Sequence, residues 1–308
     1  LFALQLPLGS FSNGGQLFLL HKMNKAPPCI VCQSDKSRAM YGNLLKRCQV
    51  CGFVTASLDT NTVDFSDIYG TEYFKGEEYL NYTLDKHVIQ TNFRRRLARV
   101  FRFLPSDSMK AVLEIGCAYG FFGEVLRQEV PACSYVGYDI ASEAVRHASV
   151  ALGLDARCQN YLESDEASEQ FTDCFMWDVI EHLPRPDRVI KKIHGDLKPG
   201  GRLFITTGDI DRLLPRLQGP NWRMIHPPTH LHYFSRSTLS LMLESCGFKV
   251  CQVTYPSICR SVRLIFYSLL ILRKKPNLIS QSLYRFIPES LSLSMNTFDV
   301  MFMIATRK

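Results

Sequence analysis

The stretch "VLEIGCAYGFF", residues 112–122, decides how this chain reads. Apolar residues surround one carboxylate, Glu114, and lead into Gly116, Ala118 and Gly120 before the run turns aromatic. A short apolar run of this kind is a buried strand, and glycines at its end let the backbone turn sharply and approach a ligand closely. The helix that follows then points its first amides at that ligand. Alone, such a loop is a weak signal. Weight comes from Asp139, closing "YVGYD" 23 residues after Gly116, where a carboxylate can accept both hydroxyls of a ribose. A dinucleotide site would look similar to this point. However, Glu114 on the strand and Tyr119, Phe121 and Phe122 beyond the loop suit an amino acid and a sulfonium better than a pyrophosphate.

From residue 110 onward, strand-like and helix-like segments alternate. Strands are expected at 111–115, 134–139, 174–179, 201–207, 248–254 and 297–306, and helices from about 120 and at 142–151, 187–197 and 237–245. Alternation of this kind implies a doubly wound α/β fold, a parallel sheet covered on both faces, with ligands beyond the carboxyl ends of the strands.

Upstream, Cys29-x2-Cys32 and Cys48-x2-Cys51 stand fifteen residues apart, the spacing of a zinc ribbon in which two tight turns present four thiolates to one tetrahedral ion. Two disulfides or a redox motif are the alternatives. Lys46, Arg47 and Gly52 suit a knuckle whose amides and cations soften the charge on the sulfurs. Cysteines 117, 133, 158, 174, 246, 251 and 259 are scattered singly, as buried thiols are in a reducing compartment. Four parts are therefore expected. Residues 1–22 form a poorly packed extension, 23–60 the ribbon, 61–109 a bridge, and 110–308 the α/β domain with an apolar and basic insertion at about 256–295. Met23 is a plausible start. The bridge is rich in tyrosine and acids at 67–82. It then places Val88, Phe93, Leu97, Val100, Phe101 and Leu104 on one face of a helix over 87–104, with Arg94, Arg95, Arg96, Arg99 and Arg102 read as a solvated face.

The composition, 46% hydrophobic and 21% charged, is that of a globular chain and excludes a disordered one. The net charge of +7 is uneven. Residues 53–255 carry 22 basic against 26 acidic side chains, and the excess of Lys and Arg sits at the two ends. A uniformly basic nucleic-acid-binding body is thus not indicated.

With these residues in view, the sequence resembles the class I S-adenosylmethionine-dependent methyltransferases over roughly residues 85–308. "LEIGCAYG" is similar to their first motif, "GYDIA" to the ribose acid, "FMWDVIEHL" to the fourth-strand motif, and "LKPGGRLFITT" to the turn into the fifth strand. The resemblance implies a Rossmann-like seven-stranded sheet. It also implies that Glu114, Gly116, Ala118, Tyr119 and Gly120 hold the methionine end, Asp139 with Ile140 the ribose, and Gln159 or Asn160 the adenine edge, with Asp178 at the rim facing the methyl group. Ala118 replaces the usual middle glycine, and the amides at 159–160 replace the usual acid. Together with the ribbon and "HPPTHLHYFSRSTLSLMLESCGF" (226–248), the chain looks more specifically like the bacterial branch that joins a zinc ribbon to a small-molecule methyltransferase. Relatives there act on nucleotide sugars, quinones and other secondary metabolites.

A hydroxyl or carbon acid needs a base, and His182, His226, His230 and His232 are the candidates. His230 is preferred, because His232 leads into Tyr233, Phe234 and a helix capped at Ser235 that would anchor the loop. Glu181 with His182 could assist the base or bind an ion. "WDVIEH" lacks the Pro-Pro-aromatic signature of adenine and glutamine amino methylation, and no Pro-Cys or Thr-Cys nucleophile stands there for cytosine C5 chemistry. The competing readings are an RNA-binding or rRNA-methylating ribbon protein and an inactive cofactor-binding scaffold. Aromatic and basic residues do not interleave in the ribbon, so no nucleic-acid partner is expected. "RSVRLIFYSLLILRKK" (260–275) is too short an apolar run to cross a bilayer. It reads either as a roof over the substrate pocket or a homodimer face, or as a peripheral membrane contact. A cytoplasmic enzyme, or one at the inner membrane face, is expected.

Overall fold

The computed structural model describes residues 27–58, 85–266, 287–288 and 291–308. The expected extension at 1–22, the tyrosine-rich stretch at 67–82 and most of the 260–275 segment lie outside the described residues.

The ribbon comprises β1 (Ser37–Met40), β2 (Leu45–Cys48) and β3 (Val54–Ala56), which pair antiparallel. Helix α1 (Lys86–Val100) precedes the large domain. That domain then runs β4 (Ala111–Ile115), α2 (Phe121–Glu129), β5 (Ser134–Asp139), α3 (Ser142–Arg146), β6 (Ala156–Cys158), β7 (Phe171–Trp177) and α4 (Pro186–Asp196). It continues through β8 (Leu197–Gly208), α5 (Leu213–Gln218), β9 (His232–Tyr233), α6 (Arg236–Ser245), β10 (Phe248–Thr254), β11 (Ile258–Ser261), α7 (Val262–Phe266), β12 (Ser292–Met295) and β13 (Val300–Arg307).

The central sheet has the order β10-β13-β8-β7-β4-β5-β6. It is the expected seven-stranded Rossmann-like sheet with two corrections. It is mixed rather than parallel, because β13 enters antiparallel between β10 and β8. Its edge strand β6 has only three residues, none of them buried, too few for an alternation to register. Strand β7 also begins at Phe171, earlier than the apolar run suggested. The β4–β5 and β4–β7 pairs send the chain to opposite sides of β4, so a crevice opens beyond the carboxyl ends of these strands.

Both faces are covered. On one, α1 and α2 bury Phe93, Leu97, Phe122 and Val125 against Phe175, Phe204 and Phe302. Phe175 and Phe204 stack at 4.6 Å. On the other, α4 and α6 pack Ile190, Ile193, Leu239 and Leu243 against Leu113, Met176 and Ile205. Cys48 and Phe53 join this second core, so the ribbon is packed onto the domain rather than tethered to it.

Helix α1 corrects the solvated-arginine reading at Arg96 alone; Arg94, Arg95, Arg99 and Arg102 are exposed or half-exposed. Its buried residues are Val88, Gln90, Phe93, Arg96, Leu97 and Val100, while Phe101 and Leu104 are only half-buried. Arg96 follows Phe93 by three residues and precedes Val100 by four, which puts it on the apolar stripe despite its charge. The single cysteines divide too. Cys117, Cys174, Cys246 and Cys259 are buried, Cys133 is half-buried, and Cys158 and Cys251 are exposed.

Candidate active site

Three carboxyl-end segments build the site. After β4 the backbone passes through positive φ at Gly116 (+77°), Ala118 (+45°) and Gly120 (+76°). A Cβ on Gly116 would stand 2.3 Å from Val179 Cγ2, so the loop after β7 is packed directly on the loop after β4. Asp139, ending β5, holds the turn from beneath. Its Oδ2 accepts the Ala118 N–H at 2.8 Å and its Oδ1 accepts the Ala141 N–H at 2.9 Å. That bond over-determines the left-handed backbone at Ala118, which accounts for an alanine where glycine is usual. Burial raises the Asp139 pKa, and these N–H groups oppose it. Glu114 is buried within the sheet and accepts the Tyr135 hydroxyl at 2.5 Å. Burial pushes its carboxyl up to about 8 against that hydrogen bond, and the nearby Asp139 charge adds to the rise.

The aromatic residues after the loop face inward. Phe122 packs on Phe93, Phe175 and Trp177, and the Tyr119 ring lies against Phe121 and His147. Tyr119 therefore borders the loop with its backbone. Ile140 is exposed beside Asp139. Gln159 and Asn160, both exposed, follow β6, with the Gln159 N–H bonded to the Asp139 carbonyl at 3.0 Å. The expected ribose and adenine residues thus share one sheet edge.

Asp178 stands at the seam. Its φ is +58°, its N–H donates to Thr206 Oγ1 at 3.0 Å, and its Oδ2 accepts Arg96 Nη2 at 3.1 Å. Beyond it lies a cavity of about 180 Å³ between α1, the end of β7, the 223–230 loop and β11. His182, His226 and His230 all line it. The His230 ring centroid is 4.5 Å from that of His182 and 3.8 Å from that of His226.

In each ring Nδ1 faces an oxygen that fixes the tautomer. His182 Nδ1 meets the Thr229 carbonyl at 2.8 Å and His230 Nδ1 the Met224 carbonyl at 2.8 Å, so both nitrogens are donors. Thr229 Oγ1 donates to the His226 carbonyl and accepts from His226 Nδ1 at 2.5 Å. Nε2 is therefore the proton-accepting nitrogen of all three. Burial lowers the pKa of His182 and of His226 to about 4, and burial together with its two neighbours takes His230 well below the usual value. The imidazoles are neutral at physiological pH.

His232 does not join them. It is buried on β9, with its Nδ1 3.2 Å from Thr55 Oγ1 and its ring 5.5 Å from that of Phe53. The expected anchor downstream is present, since Ser235 and Thr238 form a reciprocal capping box at the start of α6. Ligand atoms of Glu181, His182 and His230 also lie within 4.8 Å of one another, a spacing compatible with one cation.

In the ribbon, Cys29 Sγ and Cys51 Sγ are 3.6 Å apart, Cys32 Sγ and Cys48 Sγ are 3.5 Å apart, and all four sulfurs lie within 4.8 Å of one another. Sulfurs 2.3 Å from a tetrahedral zinc would be separated by about 3.8 Å. The cluster therefore fits zinc, and none of its cysteines is in a disulfide. Backbone N–H groups support the thiolates as expected, but Arg47 instead pairs with Asp211 at 3.0 Å.

Residues 86–253 match the profile of a methyltransferase domain. The chain belongs to the methyltransferase-domain family. Within this domain lie the 116–120 loop, Asp139, Asp178 and the histidine cavity wall from 182 to 230. The domain is similar to the ubiquinone biosynthesis O-methyltransferase of Coxiella burnetii, with 26% identity over 156 residues, 47% of this chain and 66% of that protein. It is also similar to the mitochondrial enzyme of the same name from Mus musculus, with 35% identity over 112 residues, 33% of this chain and 30% of that one. The matches thus span just under two thirds of the first relative and less than a third of the second. In fold, the chain resembles an S-adenosylmethionine-dependent methyltransferase of Thermotoga maritima, with a TM-score of 0.51 and 18% identity over 80% of this chain and 100% of that one. A methyltransferase of Bacillus halodurans has a TM-score of 0.50 and 14% identity, over 68% of this chain and 98% of that one.

The methyltransferase domain also recruits residues that sequence reasoning missed. Tyr135 orients Glu114, Ala141 shares Asp139, and Arg96, Arg223 and Arg260 border the cavity. Only Arg96 carried a signal, its place on the helix stripe.

Proposed function

We propose that this protein transfers a methyl group from S-adenosylmethionine to a hydroxyl or carbon acid of a small molecule, with His230 as general base. The observation that carries this reading is the convergence of His182, His226 and His230 on one cavity whose rim residue, Asp178, adjoins Val179 against Gly116. The donor set suits the cofactor. Asp139 suits a ribose diol, an arriving ammonium would favour the charged form of Glu114 against its burial, and the glycine loop allows close backbone approach. Gly116, Ala118, Tyr119 and Gly120 would line the methionine end, Asp139 and Ile140 the ribose, Gln159 and Asn160 the adenine, and Asp178 the methyl-facing rim. When bound, the cofactor supplies an activated methyl on a sulfonium leaving group.

The chain's own contribution is positioning and proton transfer. The cavity holds the acceptor beside Asp178, so orientation supplies much of the rate. Nε2 of His230 accepts the acceptor's proton as the new bond forms, while Nδ1 stays bonded to the Met224 carbonyl and keeps the ring in place. The names of the relatives in ubiquinone biosynthesis support a hydroxyl acceptor, and a cavity of about 180 Å³ suits a single small ring. A structural zinc on Cys29, Cys32, Cys48 and Cys51 completes the reading.

The test is incubation with methyl-labelled S-adenosylmethionine and fractionated small metabolites, comparing wild type with His230→Ala. Label should enter a small-molecule fraction, and the variant should lose roughly 10²–10⁴-fold in turnover with cofactor affinity intact. Label confined to RNA, or a His230→Ala enzyme of wild-type turnover, overturns it.

A further inference from the structure

Proton abstraction does not account for the cavity's cations. Arg96, Arg223 and Arg260 all border it. Two of them are matched by acids. Arg96 donates to Asp178 at 3.1 Å, and Arg223 forks onto the fully buried Asp299, with Nη1 to Oδ2 at 2.6 Å and Nη2 to Oδ1 at 3.1 Å. Trp222 Nε1 also donates to Asp299, at 2.8 Å, so that carboxylate is committed to the pair.

Arg260 is different. It is half-buried on β11, and among the described residues no carboxylate forms an ion pair with it. Its backbone is held in place. On the neighbouring residue, the Cys259 N–H donates to Asn92 Oδ1 at 2.7 Å and the Cys259 carbonyl accepts Asn92 Nδ2 at 2.9 Å, clamping β11 to α1. Pairing of β11 with β12 fixes the other edge, with Arg260 opposite Leu293. Burial lowers the guanidinium's pKa and the charge of Asp299 works against this, so the cation is kept at a desolvation cost that no neighbouring acid offsets directly. A guanidinium retained on those terms at the wall of a binding cavity is suited to an anion that arrives with the ligand.

We propose that Arg260 is the seat for an anionic group, a carboxylate or a phosphate, on the methyl acceptor, so that this protein selects acidic or phosphorylated small molecules over neutral ones. The inference rests on the reading of this cavity as the acceptor site. The histidines take the end of the acceptor that loses a proton, and Arg260 takes the charged handle.

Three probes sharing one ring distinguish the sources of charge: benzoate, phenyl phosphate and neutral benzamide, titrated calorimetrically into the full-length protein saturated with S-adenosylhomocysteine. At least one anion should bind about 10- to 100-fold more tightly than benzamide, the range expected of a charge-assisted bond. Which anion wins tells carboxylate from phosphate. Arg260→Gln should remove that preference and Arg260→Lys should restore part of it, both with unchanged melting temperature and unchanged S-adenosylhomocysteine affinity. Benzamide binding as well as both anions, no binding by either anion, or an anion preference that survives Arg260→Gln each overturns the inference. The readout is independent of turnover. Anion selectivity without methyl transfer would leave Arg260 as an anion seat and remove the proposed function and with it the acceptor, whereas methylation of neutral acceptors unaffected by Arg260→Gln would overturn this inference alone.

Discussion

The backbone N–H of Ala56, on the last strand of the ribbon, donates to the carbonyl of Leu231 in the histidine loop at 2.8 Å. Thr55 Oγ1 donates to the same carbonyl at 3.0 Å, and the Leu231 N–H passes on to the carbonyl of Glu181 at 2.9 Å. Strand β3 also pairs with β9 through Val54 opposite Tyr233 and Thr55 opposite His232. The cysteine cluster is thereby joined by main-chain bonds to the residue that follows His230. Its part in the site is to hold a wall.

If the four thiols hold zinc, as proposed, its loss should therefore damage catalysis before cofactor binding. Cys48→Ser removes one thiolate of four and should reduce zinc content and turnover together, the latter by at least about tenfold, since small displacements of a positioned base are expensive. S-adenosylhomocysteine affinity should stay within about twofold, because the 116–120 loop lies elsewhere. Elemental analysis and calorimetry on the same preparation check both halves. Full zinc content in the variant contradicts the cluster as a metal site.

Asp139→Ala should weaken cofactor binding by at least about tenfold and destabilise the fold by roughly 1–3 kcal/mol, because it leaves the N–H groups of Ala118 and Ala141 without their acceptor. Asp139→Asn keeps one acceptor oxygen and should recover part of the stability but less of the affinity. Calorimetric titration alongside thermal melts separates the two effects. Unchanged affinity in the alanine variant would remove Asp139 from the site.

Gly116→Ala meets two obstacles, a φ of +77° and Val179 Cγ2 at 2.3 Å from the new Cβ. Expected is a loss of cofactor binding of tenfold or more with a stability cost of about 1–3 kcal/mol. Adding Val179→Ala relieves the steric part and leaves the backbone strain. The double variant should therefore bind better than Gly116→Ala alone, and a purely additive cycle would show that the contact carries no coupling.

The histidines also set an acid limit. His182, His226 and His232 have folded pKa values lowered to about 4 by burial, against about 6.5 unfolded. Between those values the unfolded chain binds protons that the folded chain refuses. The stability these residues contribute is complete above about pH 6.5 and is lost as pH falls toward 4. Each buried imidazole adds roughly 1.4 kcal/mol per pH unit to that slope. Denaturant melts across the window should show a shallower slope for His226→Gln than for wild type, while identical slopes would contradict a buried, neutral His226.

Much of the fold was legible because its signals are local. An apolar strand ending in glycines, a carboxylate closing the next strand and two pairs of cysteines at ribbon spacing are each contained within a few consecutive residues. Other features lacked such a local signature. Strand β6 is short and has no buried residue, and β13 reads as an ordinary apolar run whether it enters the sheet parallel or antiparallel.

The roles of individual polar residues divide along the same line. By itself the sequence determined the class of sheet, the loop after β4, the acid ending β5 and the tetrad of thiols, since chain direction and near-neighbour spacing suffice for these. Only the tertiary structure decided which histidines meet. His230 and His232 are two residues apart, yet one lines the cavity and the other joins β9 to the ribbon, because His230 still belongs to the loop before β9 whereas His232 is already paired in the strand, opposite Thr55. It also turned Arg96 from a surface charge into the partner of Asp178, 82 residues away, and brought Arg260 to the cavity wall beside Arg223. Electrostatic roles depend on burial and on partners distant in the chain, and those exist only after the sheet, α1 and the ribbon have packed together.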